Sequence, residues 1–346
     1  MILDKIEKIF YKYFYFWKWA QIEPTTYCNG SCIYCPRTVY KNVWINAHLS
    51  LKNYLNILNN IFSVRMIYLQ GWGEPFLNQE LFEMIHQTKK NNLLIGITSN
   101  GTLITEDIAK KLVELKVDFI SFSLAGFEKN NDIIRKNTSF KKVFEAIELI
   151  SKYKNFYNSS KPVVHIAYIW FKSIYKDLKF LIRFLKNFEV KEIVVHPLTF
   201  VPSRELEKEV IYLEDKFLKF AEQLKEENQK VKIHIYFITN KIHSCPDDIL
   251  RSFFVNFNGK VSPCTLSLLP VKNQVIYYFR NKAFFFKPII LGNLLTENLL
   301  KVWSNFQYKQ FRREYYNSFC KNCYKLFLTN FPMEKTSYHF IPSSTK

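Results

Sequence analysis

Three cysteines fall within eight residues, Cys28-Asn29-Gly30-Ser31-Cys32-Ile33-Tyr34-Cys35, at C-x3-C-x2-C spacing. Thiolates are soft ligands that suit zinc and iron-sulfur clusters, and a loop this short can curl around one compact metal centre. A structural zinc site normally takes four protein ligands, and no His lies in or near the loop to complete a set. Three thiolates on a four-iron cluster leave one iron open for another ligand. On the cysteines alone, a zinc loop and an iron-sulfur site both stay open.

More than 200 residues later come Cys245, Cys264 and the C-x2-C pair Cys320 and Cys323. Seven cysteines, unevenly placed, do not make a disulfide framework, and without an export signal short thiol spacings point to metal ligation. Four thiols complete the set for one further centre, a zinc knot or a cluster. The expected compartment is the reducing cytoplasm.

Glycine is scarce, 8 in 346 residues, against about 7% in ordinary proteins. Where it survives, it tends to sit in turns after apparent strands: Gly71-Trp72-Gly73-Glu74-Pro75, Thr98-Ser99-Asn100-Gly101 and Ser123-Leu124-Ala125-Gly126.

The elements that would carry these turns alternate. Residues 1–20 read as a basic, aromatic helix and 21–26 as a short extended run before the cysteine loop. Apolar periodicity then predicts helix 51–62, strand 66–70, helix 79–90, strand 93–98, a helix from about 105, strand 117–123, helix 140–153, strand 163–170, helix 174–188, strand 192–196 and a long helix over about 205–229. Six strand-helix steps demand a parallel sheet joined by crossover helices. The expected fold is α/β: a partial (β/α)6, TIM-like barrel over 21–229, with chemistry gathered where the βα loops leave the C-terminal strand ends. Short extended runs at 231–237, 252–256 and 260–262, with a hairpin turn at Asn258-Gly259, place a small α+β domain over 230–330, and 331–346 reads as a tail.

The triplet, with an aromatic residue before its third cysteine, resembles the signature of the radical S-adenosylmethionine (SAM) superfamily. The Gly71 to Pro75 turn is similar to that family's GGEP motif and departs from it at Trp72. The resemblance implies that Cys28, Cys32 and Cys35 hold a [4Fe-4S] cluster whose open iron binds SAM. It implies that the backbone of Gly71, Trp72, Gly73, Glu74 and Pro75 meets the SAM amino group, that Ser99, Asn100 and Ser123 contact its ribose and carboxylate, and that Arg135 is a carboxylate partner. A 5′-deoxyadenosyl radical would then abstract a substrate hydrogen, with ferredoxin or flavodoxin as electron donor.

The second cysteine group, with Gly259 five residues before Cys264 and Leu291-Gly292-Asn293-Leu294 ahead of Val302-Trp303, resembles the SPASM and twitch auxiliary domains of the same superfamily. The three cysteines that a full SPASM pattern carries after its C-x2-C pair are absent, which implies one auxiliary [4Fe-4S] cluster, held by Cys245, Cys264, Cys320 and Cys323. Candidate acid-base groups are His165, His196, Asp247 and the neighbouring Asp248, since a strand-end imidazole or a carboxylate can take a substrate proton.

Hydrophobic residues at 48% and charged residues at 23% exclude a disordered or collagen-like chain. No uncharged apolar run nears 18 residues, and Lys5, Lys8, Lys12 and Lys18 interrupt the N-terminal aromatics, which argues against a transmembrane segment and Sec-type export. A net charge of +19 attracts anionic partners, although an AT-rich genome also produces lysine-rich composition. The leading expectation is a radical enzyme acting on a peptide, protein or cofactor precursor, the Trp72 turn being reminiscent of tungsten-enzyme maturases. Alternatives are a small-molecule alcohol dehydrogenase of the twitch type and an RNA-binding or RNA-modifying protein, for which no recognisable motif is present. The aromatic N-terminal residues also admit a membrane-surface role.

Overall fold

The computed structural model describes residues 17–228 and 230–331. Its centre is one eleven-stranded sheet. The strands are β1 (Trp17–Ile22), β2 (Val64–Leu69), β3 (Leu94–Ser99), β4 (Phe119–Leu124), β5 (Val163–Trp170), β6 (Glu192–Pro197), β7 (Lys232–Ile238), β8 (Ser252–Val255), β9 (Lys260–Ser262), β10 (Gly292–Asn293) and β11 (Leu328–Phe331). They lie in the order β10-β9-β8-β1-β2-β3-β4-β5-β6-β7-β11. From β8 through β7 every pairing is parallel, and only the outermost additions, β9 with β10 and β11, are antiparallel.

Parallel strands are covered on both faces, so their interiors are nearly continuous apolar runs. Ile67, Leu69, Ile95, Ile97, Ile120, Phe122, Ile166 and Ile193 are all fully buried. Crossover helices cover the outside: Leu51–Asn60, Leu81–Lys90, Glu106–Glu114, Phe140–Phe156, Asp177–Leu185 and Asp215–Glu226. Three of these start on a side-chain cap, with Ser50, Thr105 and Ser139 accepting from the backbone amides of Asn53, Ile108 and Lys142.

Three expectations are corrected. The helix expected over 1–20 gives way to strand at Trp17–Ile22, where Trp17, Trp19, Ala20 and Ile22 are buried and the strand is paired on both sides, to β2 and β8; residues 1–16 lie outside the described residues. The long helix over 205–229 is broken into Arg204–Glu207 and Asp215–Glu226. Between them Val210 and Ile211 are buried and Tyr212 bridges Ile238, because a β-branched apolar stretch is worth more packed on the sheet than wound into a charged helix. The boundary expected at 230 does not separate the sheet: β7 continues the parallel array beside β6, and β8 returns to pair with β1. The hairpin expected at Asn258-Gly259 joins β8 to β9, with Gly259 at φ +75°.

Candidate active site

The turns after β2 and β3 meet the cysteine loop, which follows β1, on one rim. Gly73 lies so close to this loop that a Cβ there would meet the carbonyl oxygens of Thr25 and Tyr27 at 2.4 Å, which only glycine permits. The Glu74 amide then donates to the Tyr27 carbonyl at 2.8 Å. The buried Glu74 carboxylate accepts from Ser99 Oγ at 2.8 Å and from the Asn100 amide at 2.7 Å. Asn100 Nδ2 closes the ring by donating to Asn29 Oδ1 in the cysteine loop at 2.8 Å. Burial pushes the Glu74 carboxyl up to about 7, while the hydrogen bonds from Asn100 and Ser99 pull the other way.

The far side of the cysteine loop is zipped to the segment after β4. Cys32 pairs with Arg135 in a two-residue antiparallel ladder, the Ile33 amide donates to the Ile134 carbonyl at 2.9 Å, and the Arg135 guanidinium donates to Tyr34 Oη. Arg135 is buried, although arginine is seldom fully buried without a partner.

These groups face one cavity of about 330 Å³, lined by Cys28, Cys32, Cys35, Gly71, Trp72, Gly73, Glu74, Ser99, Asn100, Ser123 and Arg135. Pro75 lies just outside it, at the start of a 3-10 turn whose Phe76 amide Glu74 caps. A methyl placed on Gly30 would lie 3.6 Å from Cys28 Sγ and 3.9 Å from Cys32 Sγ, so those sulfurs are no more than 7.5 Å apart. An all-sulfur donor set sharing a cavity with open polar groups fits a cluster that leaves a position for a second ligand. Among the described residues no three His, Cys, Asp or Glu side chains close on a single ion-sized point.

His196 and Asp247 also line the cavity; His165 does not. It sits in the N-terminal half of β5, opposite Glu192 of β6, and stacks on Phe119 at 5.6 Å. Burial lowers its pKa to about 4. It lies at the strand end facing away from the rim, apart from the cavity where its expected acid-base role would be exercised. His196 stacks on Tyr236 at 4.7 Å, and burial lowers it to about 3, so it is neutral near pH 7. Asp247 is held bidentately by Lys325, at 2.8 and 2.6 Å, and Asp248 pairs with Lys18 and Arg251 away from the cavity lining.

Lys325 lines the cavity but was missed in the sequence, where its only signal is its place two residues after Cys323. Glu23 was also missed. It is buried at the end of β1, and a carboxylate between Ile22 and Pro24 in an apolar strand was a readable signal.

The second thiol group stands one layer behind the cavity wall. Asp247, Thr265, Leu266 and Lys325 line the cavity, while the adjacent Cys245, Cys264 and Cys323 do not. Burial raises the thiols of Cys245, Cys320 and Cys323, and the nearby Cys264 thiol adds to each rise, so the four cysteines converge although they come from three separate segments. The donor set suits a cluster or zinc.

Residues 22–185 match the family model of the radical SAM superfamily, and residues 245–324 match that of an iron-sulfur cluster-binding domain, SPASM. The chain is 26% identical over 323 residues to the tungsten-containing aldehyde ferredoxin oxidoreductase cofactor-modifying protein of Pyrococcus furiosus, covering 88% of this chain and 87% of that protein. Among solved structures it is similar in fold to native anSMEcpe with bound AdoMet and Cp18Cys peptide, with a TM-score of 0.60 and 20% identity over 89% of this chain and 87% of that one. It is likewise similar to Streptococcus suis SuiB bound to S-adenosylmethionine, with a TM-score of 0.61 and 17% identity over 99% and 80% of the two chains. Among the described residues no helix is long and apolar enough to cross a membrane.

Proposed function

We propose that this chain, whose residues 22–185 belong to the radical SAM superfamily and whose residues 245–324 carry a SPASM domain, cleaves SAM reductively and modifies a cofactor precursor or a peptide. The observation that carries this reading is the single cavity onto which the three cysteines, the Gly71 to Glu74 turn, Ser99, Asn100, Ser123 and Arg135 all open. Cys28, Cys32 and Cys35 would hold a [4Fe-4S] cluster. The backbone of Gly71 to Pro75 would receive the SAM amino group, and Ser99, Asn100, Ser123 and Arg135 its ribose and carboxylate. When bound, cluster and SAM supply a 5′-deoxyadenosyl radical able to abstract hydrogen.

The residues of the chain position and shield that chemistry. Glu74 fixes the rim turn through Ser99 and Asn100. Trp72, Leu198, Phe200 and Leu266 give the cavity an apolar wall that limits water around a reactive centre. His196 is neutral and suits a hydrogen-bonding wall, whereas Asp247, paired with Lys325, suits anchoring or accepting a substrate proton. Cys245, Cys264, Cys320 and Cys323 would hold one auxiliary [4Fe-4S] cluster that takes or relays an electron. The cofactor-precursor class is supported by the Pyrococcus furiosus relative, whose name records cofactor modification. An external one-electron donor such as ferredoxin or flavodoxin completes the cycle.

The test is 5′-deoxyadenosine release from SAM by anaerobically reconstituted protein with dithionite. Release by the parent and none by C35A supports the proposal; equal release by both, or none by the parent, overturns it.

A further inference from the structure

A groove of about 400 Å³ runs between the helices Asp177–Leu185 and Asp215–Glu226, rimmed by Lys176, Lys179, Lys216 and Lys219 and floored by Tyr175 and Phe220. Both helices start at the level of the catalytic rim. Lys176 follows the C-terminal end of β5, and the Leu213 amide donates to the carbonyl of Ile238 at the C-terminal end of β7. Phe180 adds an exposed apolar face at 52% exposure.

Two sets of ring contacts, joined by the backbone step from Trp170 to Phe171, lead from the groove floor to the cysteine loop. Tyr175 lies 5.3 Å from Phe217 and 5.1 Å from Phe220, and these lie 5.9 and 6.1 Å from the buried Trp170. Phe171, the next residue, lies 5.8 Å from Tyr34, which stands between Cys32 and Cys35.

We propose that this groove docks a small acidic iron-sulfur electron carrier of the ferredoxin class, which rests on the reading that Cys28, Cys32 and Cys35 hold a cluster. The carrier loses one electron and that cluster gains it; no bond or proton changes hands. Charge complementarity favours this occupant. Lys179 shares Glu227 with Arg183, and Lys216 shares Glu214 with Lys172, so lysines are in excess without forming an unbroken cationic track. Exposed pairs of this kind are weak, so a partner's carboxylates can replace them. A compact mixed patch around an aromatic floor suits a brief, steered protein encounter, whereas a nucleic-acid backbone wants a continuous run of cations.

The test measures binding of an oxidised bacterial-type 2[4Fe-4S] ferredoxin to the reconstituted full-length protein by calorimetry, for the parent and for K176E/K219E, whose two sites are exposed. The expected result is affinity lowered by about tenfold or more in the variant and lost in the parent at about 0.5 M salt. Ferredoxin-driven 5′-deoxyadenosine release would show a raised KM for ferredoxin, with dithionite-driven release unchanged. Equal affinity of the two proteins overturns the proposal, as does polyuridine binding that the variant loses while ferredoxin binding persists. Failure of the parent to cleave SAM with dithionite would overturn the catalytic reading instead, and calorimetry would still decide the docking.

Discussion

The Glu23 carboxylate, at the end of β1, accepts a hydrogen bond from the backbone amide of Trp72 at 2.9 Å, tying the strand that leads into the cysteine loop to the rim turn after β2. Gly71 makes room for it, since a Cβ there would meet Glu23 Cγ at 2.3 Å. Trp72 continues the tie outward: its indole Nε1 donates to the Leu268 carbonyl at 3.2 Å, and its ring meets Trp44 edge-on at 6.2 Å. A tryptophan in this turn thus pins the rim to the C-terminal part of the chain.

Burial raises Glu23 from 4.5 to about 8, against the hydrogen bonds from Trp72 and Phe257. Between those values the unfolded chain has lost the proton that the folded chain keeps, so this group makes stability fall as pH rises through that window. Thermal melts at pH 5.5 and 8 should therefore differ less for E23Q than for the parent. Parallel shifts in the two proteins would show that Glu23 does not titrate in this way.

Removing the Ser99 hydroxyl leaves one Glu74 oxygen without its 2.8 Å donor. Hydrogen bonds to charged groups contribute about 1.5–3 kcal/mol, and Glu74 is partly ionised near pH 7, so S99A should lose about 1–2 kcal/mol in denaturant unfolding. Its SAM affinity should fall with iron content unchanged. A variant as stable and as tightly binding as the parent would remove Ser99 from the rim network.

Lys325 and Asp247 are largely buried, with side-chain exposures of 17% and 14%. Breaking one partner of such a pair costs about 3–5 kcal/mol because the other charge is stranded, while replacing both costs less. K325M should therefore unfold at lower denaturant than D247N/K325M. The reverse order would mean that Asp247 is solvated well enough to stand alone.

If the second cysteine group holds a cluster of its own, C320A/C323A should carry about four irons per chain against about eight in the parent, from four per cubane. The variant should keep reductant-driven SAM cleavage in the absence of substrate. Loss of zinc with iron unchanged would make the second centre a zinc knot.

The barrel and most of its rim were legible because each depends on local pattern. Strand-turn-helix alternation placed Gly71 to Pro75, Ser99 to Gly101 and Ser123 at consecutive strand ends, and a parallel sheet then brings them together without further information. What was illegible is decided by long-range pairing. Trp17 to Ala20 read as the end of a basic, aromatic helix, and only partners β2 and β8, about 45 and 235 residues away, make it a central strand. Residues 231–237 carried no mark that they belong beside β6. The difference between His165 and His196 was readable, since the expected strands 163–170 and 192–196 put them at opposite strand ends, one away from the cavity and the other on its wall. Lys325 gains its place only because the C-terminal segment folds back over the rim to meet Asp247.

Whether three thiols hold a cluster directly beside a SAM pocket is read from the electron paramagnetic resonance spectrum of the reduced, reconstituted protein titrated with SAM. The expected signal changes shape on SAM addition in the parent and in C320A/C323A, with no such change in C35A. A SAM-induced change that survives loss of Cys35, or a parent protein that takes up zinc and no iron, would contradict it.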